Sequence, residues 1–283
     1  YEFTDLVPGD YDVREVPPVG YGQTYPTGDG AHQVSVAAGQ VIAGLDFGNR
    51  ELPGEISGTK FNDLNGNGVR DAGEPALADV TIYLDTDNSG TLDAGEPTAT
   101  TNAEGEYAFT GLVPGDYVVR EVPPAGYVQT SPTGGGAHQV SLAAGQLIAG
   151  LDFGNQALPG KIHGTKFNDL NGNGVRDAGE PALADVTIYL DTDNSGTLDA
   201  GEPTATTNAE GEYAFTGLVP GDYVVREVPP AGYVQTSPTG GGAHQVSLAA
   251  GQLIAGLDFG NQALPGKIHG TKFNDLNGNG VRD

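Results

Sequence analysis

The hydrophobic residues of this chain recur in short alternating runs. Val80, Ile82 and Leu84 alternate with Thr81 and Tyr83, and period-two alternation over β-branched residues predicts a strand. Within residues 54–159 the same reasoning predicts seven strands, near residues 55–62, 78–84, 97–102, 106–110, 115–122, 138–143 and 147–153. Turn sequences separate them, and no segment has convincing helical periodicity. Seven short strands at this spacing predict an all-β domain of two packed sheets.

The strand pattern repeats with a period of 106 residues. The run GTKFNDLNGNGVRD begins at Gly58, Gly164 and Gly270, and residues 58–160 are identical to residues 164–266. A period this long suits a tandem array of complete domains rather than a solenoid. The predicted segments are the C-terminal half of a repeat (1–53), two complete repeats (54–159 and 160–265) and the start of a further repeat (266–283). The links between them are short and contain Pro159, which leaves neighbouring domains little freedom.

Both ends of the sequence fall inside a repeat, and two explanations stay open. In one, the sequence is a window on a longer chain whose neighbouring repeats supply the missing halves. In the other, the tail of one chain completes the head of the next by strand addition. Residues 266–283 supply only a first strand and nine loop residues, so counterparts of residues 72–106 are missing. The first explanation is therefore favoured.

Each complete repeat contains two twelve-residue segments with the spacing of an EF-hand calcium loop. Oxygen-bearing side chains occupy positions 1, 3, 5, 9 and 12, and glycine occupies position 6. Ca²⁺ takes roughly six to eight oxygens, position 7 supplies a carbonyl, and Glu at position 12 closes the site with both oxygens. Solvated acidic turns are the alternative, and two complete matches that are both repeated argue against them. The predicted ligands are Asp63, Asn65, Asn67, Val69, Asp71 and Glu74; Asp85, Asp87, Ser89, Thr91, Asp93 and Glu96; Asp169, Asn171, Asn173, Val175, Asp177 and Glu180; Asp191, Asp193, Ser195, Thr197, Asp199 and Glu202; and Asp275, Asn277, Asn279, Val281 and Asp283.

The flanks of these loops are not those of an EF-hand. Pro75 follows the first loop, and strands are predicted on both sides of it. Dockerins share the loop but also need helices. We therefore predict calcium loops that connect strands, and not a switch that opens helices.

The net charge of the chain is strongly negative, and much of it lies in the predicted calcium loops. Its formal net charge is −25, and residues 54–159 contain fourteen acidic and three basic residues, with seven of the acids in the two loops. The negative charge is therefore concentrated where a divalent cation would neutralise it. No basic patch is present to meet nucleic acid, and no apolar run is long enough to predict membrane contact. Weak calcium sites fill at extracellular rather than cytosolic calcium levels, which predicts an extracellular, secreted or cell-surface location.

Three stretches resemble a known family. The runs GTKFNDLNGNGVRDAGEP, TNAEGEYAFTGLVPGDYVVREVPPAGY and LDFGN are similar to the SdrD B-like domains of serine-aspartate-repeat surface adhesins, which are related to the B-type repeats of collagen adhesin. The resemblance covers each whole repeat. It implies a prealbumin-like or immunoglobulin-like β-sandwich, calcium in strand-connecting loops, and tandem arrays that act as stalks on bacterial surfaces. Some relatives hold a further ion in the turn that here begins at Asn102, where an aspartate is frequent.

The resemblance also implies a covalent cross-link, because collagen-adhesin B-type domains often carry a Lys–Asn isopeptide bond promoted by a buried acid. Lys60, Glu121 and Asn155 lie in phase with core positions of their strands, as do Lys166, Glu227 and Asn261 in the next repeat. A buried Lys and Glu are expected to interact. The alternatives are a salt bridge between them, or a lysine whose amine reaches solvent at the rim of the sandwich. The calcium-binding branch of the family does not generally need the covalent bond.

The favoured function is structural: a segment of an extracellular, calcium-stiffened stalk or fibre. Its partners would be calcium, neighbouring repeats of the same chain and, in a fibre, copies of itself. The alternative is an adhesin whose repeats bind a host, matrix or carbohydrate ligand. Near-identical repeats favour the structural function, since a stalk needs regular spacing between domains but does not need a different binding surface on each one. An enzyme is not predicted, because no Ser/His/Asp or Cys/His arrangement is evident and calcium explains the paired acids better than acid–base catalysis does.

Overall fold

The computed structural model describes residues 1–134, 136–240, 242–276 and 278–282. These residues form strands and turns, and none of them lies in a helix. The predicted all-β class is therefore confirmed. The chain divides into two compact units, Tyr1–Leu158 and Pro159–Asp283, each described here by itself. Among the residues described, no helix is long and apolar enough to cross a membrane.

The first unit opens with a half-repeat of two small antiparallel sheets, in which β1 pairs with β3 and β2 pairs with β4. Its strands are β1 (Gly9–Arg14), β2 (Tyr21–Tyr25), β3 (Ala31–Val36) and β4 (Gly48–Glu51).

A complete repeat follows in the same unit. Its strands are β5 (Gly54–Asn62), β6 (Thr81–Leu84), β7 (Thr98–Thr100), β8 (Glu106–Leu112), β9 (Gly115–Glu121), β10 (Tyr127–Ser131), β11 (Ala137–Leu142), β12 (Leu147–Ile148) and β13 (Phe153–Ala157). One sheet has the order β10-β13-β5-β12, with β8 also paired to β5, and the other has the order β11-β9-β6-β7. The short strands β12 and β13 run parallel to β5, and the remaining pairs are antiparallel.

The two sheets enclose one hydrophobic core. Its buried residues come from both sheets and from the segment before β6: Ile56, Val80, Ile82, Leu84, Tyr107, Phe109, Val119, Leu142 and Phe153. Burying a side chain of this size stabilises the folded state by about 1.5–3 kcal/mol. The sheet around β5 is tightly packed at Gly58, where a Cβ would lie 2.2 Å from the carbonyl oxygen of Leu151. Only glycine fits this position without movement of the backbone.

The repeat has nine strands where the sequence predicted seven. The predicted strand 147–153 is interrupted at Gly150 (φ +79°) and becomes β12 and β13. The additional strand β10 lies where the sequence predicted no strand, and its residues YVQTS do not alternate cleanly between buried and exposed positions. Its partner β13 supplies the pairing that its own pattern does not indicate.

The second unit contains the next complete repeat with the same pairing. Its strands are β14 (Gly160–Asn168), β15 (Thr187–Leu190), β16 (Thr204–Thr206), β17 (Glu212–Leu218), β18 (Gly221–Glu227), β19 (Tyr233–Ser237), β20 (Ala243–Leu248), β21 (Leu253–Ile254) and β22 (Phe259–Ala263). Residues 266–276 form no strand, although the repeat predicts one there. Residues 267–283 do not include equivalents of the segments that pair with β5 and β14.

Candidate calcium loops and a buried lysine

Both predicted loops of the first complete repeat begin where a core strand ends. Asp63 directly follows β5 and Asp85 directly follows β6. Each is buried, with exposed fractions of 0% and 4%, whereas most other loop side chains are exposed. Position 1 of each loop is therefore fixed by the sandwich, and the rest of the loop extends into solvent.

The first loop winds around the carboxylate of Asp63. Its two oxygens accept the backbone N–H groups of Gly66 (2.7 Å), Asn67 (3.1 Å) and Gly68 (2.6 Å). Gly68 has φ +77°, a left-handed conformation that favours glycine at position 6.

The remaining ligand positions of this loop converge. Glu74 accepts N–H groups from Leu64 (2.9 Å) and Asp71 (3.0 Å), so that position 12 closes the loop on positions 2 and 9. The side-chain amides of Asn65 and Asn67 both donate to Oδ2 of Asp71 (2.8 and 2.7 Å). Positions 3, 5 and 9 thus meet at one point.

The second loop has the same construction. Asp85 accepts N–H groups from Ser89 and Gly90 (both 3.0 Å). Glu96 accepts the N–H groups of Thr86 (2.7 Å) and Asp93 (2.9 Å). The hydroxyl of Ser89 donates to Oδ2 of Asp93 (2.8 Å) and to the carbonyl of Thr91 (3.0 Å), which brings positions 5, 7 and 9 together.

The donor set of the second loop fits a hard cation. One carboxylate oxygen from each of Asp85, Asp87 and Glu96 lies within 4.8 Å of the others, and the second repeat brings Asp191, Asp193 and Glu202 together in the same way. Three like charges this close repel one another, and an oxygen-only set of this kind is what Ca²⁺ prefers. When bound, the ion would supply the positive charge that holds the carboxylates together.

The loops of the second repeat reproduce the bonding of the first. Asp169 accepts N–H groups from Gly172 (2.6 Å) and Gly174 (2.7 Å), and Glu180 accepts the N–H of Asp177 (2.9 Å). Residues after 274 repeat part of the pattern, with Gly278 and Gly280 donating to Asp275 (2.7 and 2.6 Å). The predicted ligands Asn277 and Asp283 lie outside the described residues.

An arginine that the sequence reasoning did not select contacts the second loop. Nε of Arg120, on β9, donates to Oδ2 of Asp85 at 2.7 Å, and Arg226 contacts Asp191 in the same way at 2.6 Å. The contact depends on the pairing of β9 with β6, which places Arg120 opposite Tyr83. The spacing of residues along the chain does not reveal it.

Hydrogen bonds keep the buried aspartates ionised. Burial alone would raise the pKa of the Asp85 carboxyl, but the hydrogen bonds from Arg120, Gly90 and Ser89 outweigh it and lower the pKa below its ordinary value. Burial of Asp63 is likewise outweighed by hydrogen bonds that include the N–H groups of Gly68, Gly66 and Asn67, and its pKa is also lowered. Both side chains are therefore available as anionic ligands at neutral pH.

The turn at Asn102, where the resemblance implied a further ion, is closed by its own hydrogen bonds. The amide oxygen of Asn102 accepts the N–H groups of Glu104 (3.0 Å) and Glu106 (2.7 Å). Its amide nitrogen donates to Oε2 of Glu106 (3.1 Å). These contacts close the turn, and the further ion there stays a prediction.

Lys60, Glu121 and Asn155 meet inside the sandwich, where β5, β9 and β13 place them. The side chains of Lys60 and Glu121 are both fully buried, with Nζ 3.3 Å from Oε2 of Glu121 and 3.2 Å from the carbonyl oxygen of Phe153. Asn155 is also fully buried and close enough to Glu121 to lower the pKa of that carboxyl, but within the described residues no hydrogen bond of good geometry satisfies its amide oxygen or amide nitrogen. Lys166, Glu227 and Asn261 repeat the arrangement.

Burial shifts the pKa values of this ion pair toward the neutral forms. It lowers the pKa of Lys60 to about 8 although Glu121 raises it, and it raises the pKa of Glu121 although Lys60 lowers it. Lys166 shows the same change, to about 8. A larger share of each lysine is therefore an uncharged amine, which is the nucleophilic form.

Comparison with known proteins adds to this geometry. The family model of the SdrD B-like domain matches residues 54–147 and 160–254 of this sequence. Serine-aspartate repeat-containing protein D of Staphylococcus aureus strain Newman is 29% identical over 312 residues, covering 100% of this chain and 23% of that protein. Serine-aspartate repeat-containing protein F of Staphylococcus epidermidis strain ATCC 12228 is 27% identical over 266 residues, covering 85% of this chain and 16% of that protein.

Among solved structures, the Bacillus anthracis TIE protein aligns with 82% of this chain and 38% of its own, at 18% identity and a TM-score of 0.50. This similarity supports the β-sandwich fold alone. The chain spans less than a quarter of the length of the curated relatives compared above.

Proposed function

The chain belongs to the SdrD B-like domain family, as its motifs predicted, and from this premise we propose that it is a segment of an extracellular structural protein, a stalk or fibre stiffened by calcium. The tandem β-sandwich repeats form the shaft, and the loops hold the ions. The relatives it matches are repeat-containing surface proteins and not enzymes, which agrees with the prediction that the segment has no catalytic role. The same relatives support the extracellular location.

The clustering of acidic oxygens in the second loop is the observation that carries the calcium proposal. Asp85, Asp87 and Glu96 bring three carboxylates within 4.8 Å, on a chain whose net charge is already −25. Without a cation these charges repel and favour an open loop. With Ca²⁺ bound, the same loop links the ends of β6 and β7 rigidly.

Chelation tests this proposal. Binding of an ion to the folded state alone stabilises that state by mass action, by about 4 kcal/mol at a thousandfold excess over the dissociation constant. We expect the chain in excess EGTA to melt at least about 5 °C below the chain in millimolar calcium. Melting curves that coincide in the two conditions would contradict the proposal.

Variants at position 12 assign the effect to the loops. Glu74→Gln and Glu96→Gln each remove charge from a closing ligand, and each should lower the melting temperature in calcium while having little effect in EGTA. Glu55→Gln makes the same chemical change on a partly exposed side chain outside both loops and should leave both temperatures unchanged.

We further propose that Lys60 and Asn155 are joined by an isopeptide bond, as are Lys166 and Asn261. The neutral Nζ attacks Cγ of the asparagine, a new C–N bond forms, the Cγ–Nδ2 bond breaks, and Nδ2 leaves as ammonia with the proton that Nζ loses. Glu121, 3.3 Å from Nζ, is positioned to carry that proton. The buried amide of Asn155, which no hydrogen bond of good geometry satisfies in the described residues, supports the proposal.

A further inference from the structure

The ion pair between Arg120 and Asp85 places a permanent positive charge beside the second loop. The side chain of Asp85 is fully buried and that of Arg120 is 19% exposed, so water screens the ion pair only weakly. The terminal nitrogen of Arg120 also reaches Oδ1 of Asn88, at position 4 of the loop (3.5 Å). The guanidinium thus holds two positions of the loop.

The first loop lacks such a charge. Among the described residues, no lysine or arginine forms an ion pair with Asp63 or Asp169. Arg70 belongs to the first loop, but its guanidinium donates to the hydroxyl of Thr59 (3.3 Å). The loops also differ in acidity, because the second contains four carboxylates and the first contains three.

We propose that Arg120 and Arg226 act as built-in cations for the second loops. Each arginine neutralises one of the four carboxylates, so it holds the loop in shape when calcium is absent and competes with calcium for the charge of the position-1 aspartate. This inference rests on the proposed calcium function. It implies that the arginine lowers the calcium affinity of the second loop and keeps that loop ordered when no metal is bound.

The test uses the full chain and replaces both arginines, Arg120→Gln with Arg226→Gln, in a background of Glu74→Gln and Glu180→Gln that weakens the first loops. Removal of the positive charge beside Asp85 and Asp191 should tighten calcium binding at the second loops, by about threefold or more in a calorimetric titration. In EGTA the same replacement should lower the melting temperature. The matched control, Arg70→Gln with Arg176→Gln, should change neither second-loop affinity nor the effect of chelator on that loop.

Two results would overturn the inference: calcium affinity that is unchanged or weaker, or a melting temperature in EGTA that does not fall. If this double variant does not fold, Arg120→Gln alone, which leaves Arg226 in place, should tighten calcium binding at one second loop and leave the other unchanged. Failure of the unaltered chain to bind calcium would instead refute the calcium function itself. Normal binding without an effect of the arginines would refute the inference alone.

Discussion

Lys60 and Glu121 occupy an unfavourable environment for charge. Both side chains are fully buried, and removing two charges from water costs more than an imperfect ion pair returns. Within the described residues no hydrogen bond of good geometry satisfies the adjacent amide of Asn155, which adds an unsatisfied polar group. An amide bond between Lys60 and Asn155 removes one of these charges and the primary amide together, so a covalent link relieves the site more completely than an ion pair does.

The mass of the intact chain is the direct check of this bond. With both bonds formed, the mass lies two ammonia molecules below the value calculated from the sequence. In Lys60→Ala the mass should lie only one ammonia molecule below the value calculated for that variant, and the same should hold for Lys166→Ala. Lys161→Ala changes an exposed lysine on the same strand as Lys166, and its mass should stay two ammonia molecules below the calculated value. An unaltered chain with the full calculated mass would end the proposal.

Titration of the lysines gives a second residue-scale prediction. In the double variant Asn155→Ala with Asn261→Ala neither bond forms, and the lysines keep a pKa of about 8, against 10.5 for the ordinary group. Between these values the unfolded state binds more protons than the folded state, so stability rises with pH. We expect the free energy of unfolding of this variant to rise between pH 8 and pH 10 by roughly 2 kcal/mol for each lysine.

The control for that titration replaces the lysines themselves. Lys60→Met with Lys166→Met, added to the asparagine variant, should remove the rise. If both bonds form, the unaltered chain, in which Lys60 and Lys166 are then amides, should also show no rise in denaturant unfolding over this pH range. A rise in the unaltered chain equal to that of the asparagine variant would mean that its lysines are free.

At the scale of structural elements, the sequence is informative where a feature lies within one short segment. Twelve consecutive residues contain every predicted ligand of a loop, and the structure brings Asp63 to Glu74 and Asp85 to Glu96 into closed loops with the expected glycine conformations. Six of the predicted strands were located to within a few residues for the same reason, since alternation is a local property.

Features that depend on pairing between distant segments were not predicted. Strand β10 has no clear alternation and is recognised by its pairing with β13. The contact of Arg120 with Asp85 joins residues 35 positions apart and requires β9 to lie beside β6 in one register. The lysine site is intermediate, because strand phase indicated burial of Lys60, but resemblance to a family was needed to bring three separate strands together.

At the scale of the molecule, the first unit shows how a half-repeat joins the repeat that follows it. The N–H of Leu52 donates to the carbonyl of Gly20 (2.8 Å), and the carbonyl of Leu52 accepts the N–H of Gly145 (2.8 Å). The linking residue is thus bonded on one side to the preceding half-repeat and on the other to the turn between β11 and β12. None of the three residues belongs to a calcium loop, so we expect the stiffness of this junction not to depend on the ion.

Gly20 is the position at which this junction can be tested. It has φ +83°, and a Cβ there would lie 2.1 Å from the carbonyl oxygen of Ala144. Gly28 has a similar φ of +86° with nothing within 4 Å of the added Cβ, so Gly28→Ala matches the backbone strain of Gly20→Ala without the collision. We expect Gly20→Ala to speed hydrogen exchange at the amides of Leu52 and Gly145 by about tenfold or more, in calcium and in EGTA alike, because the two segments must separate. Gly28→Ala should leave both amides protected. If exchange at Gly145 is the same in the two variants, or if the acceleration vanishes in calcium, the junction is not an independent source of stiffness.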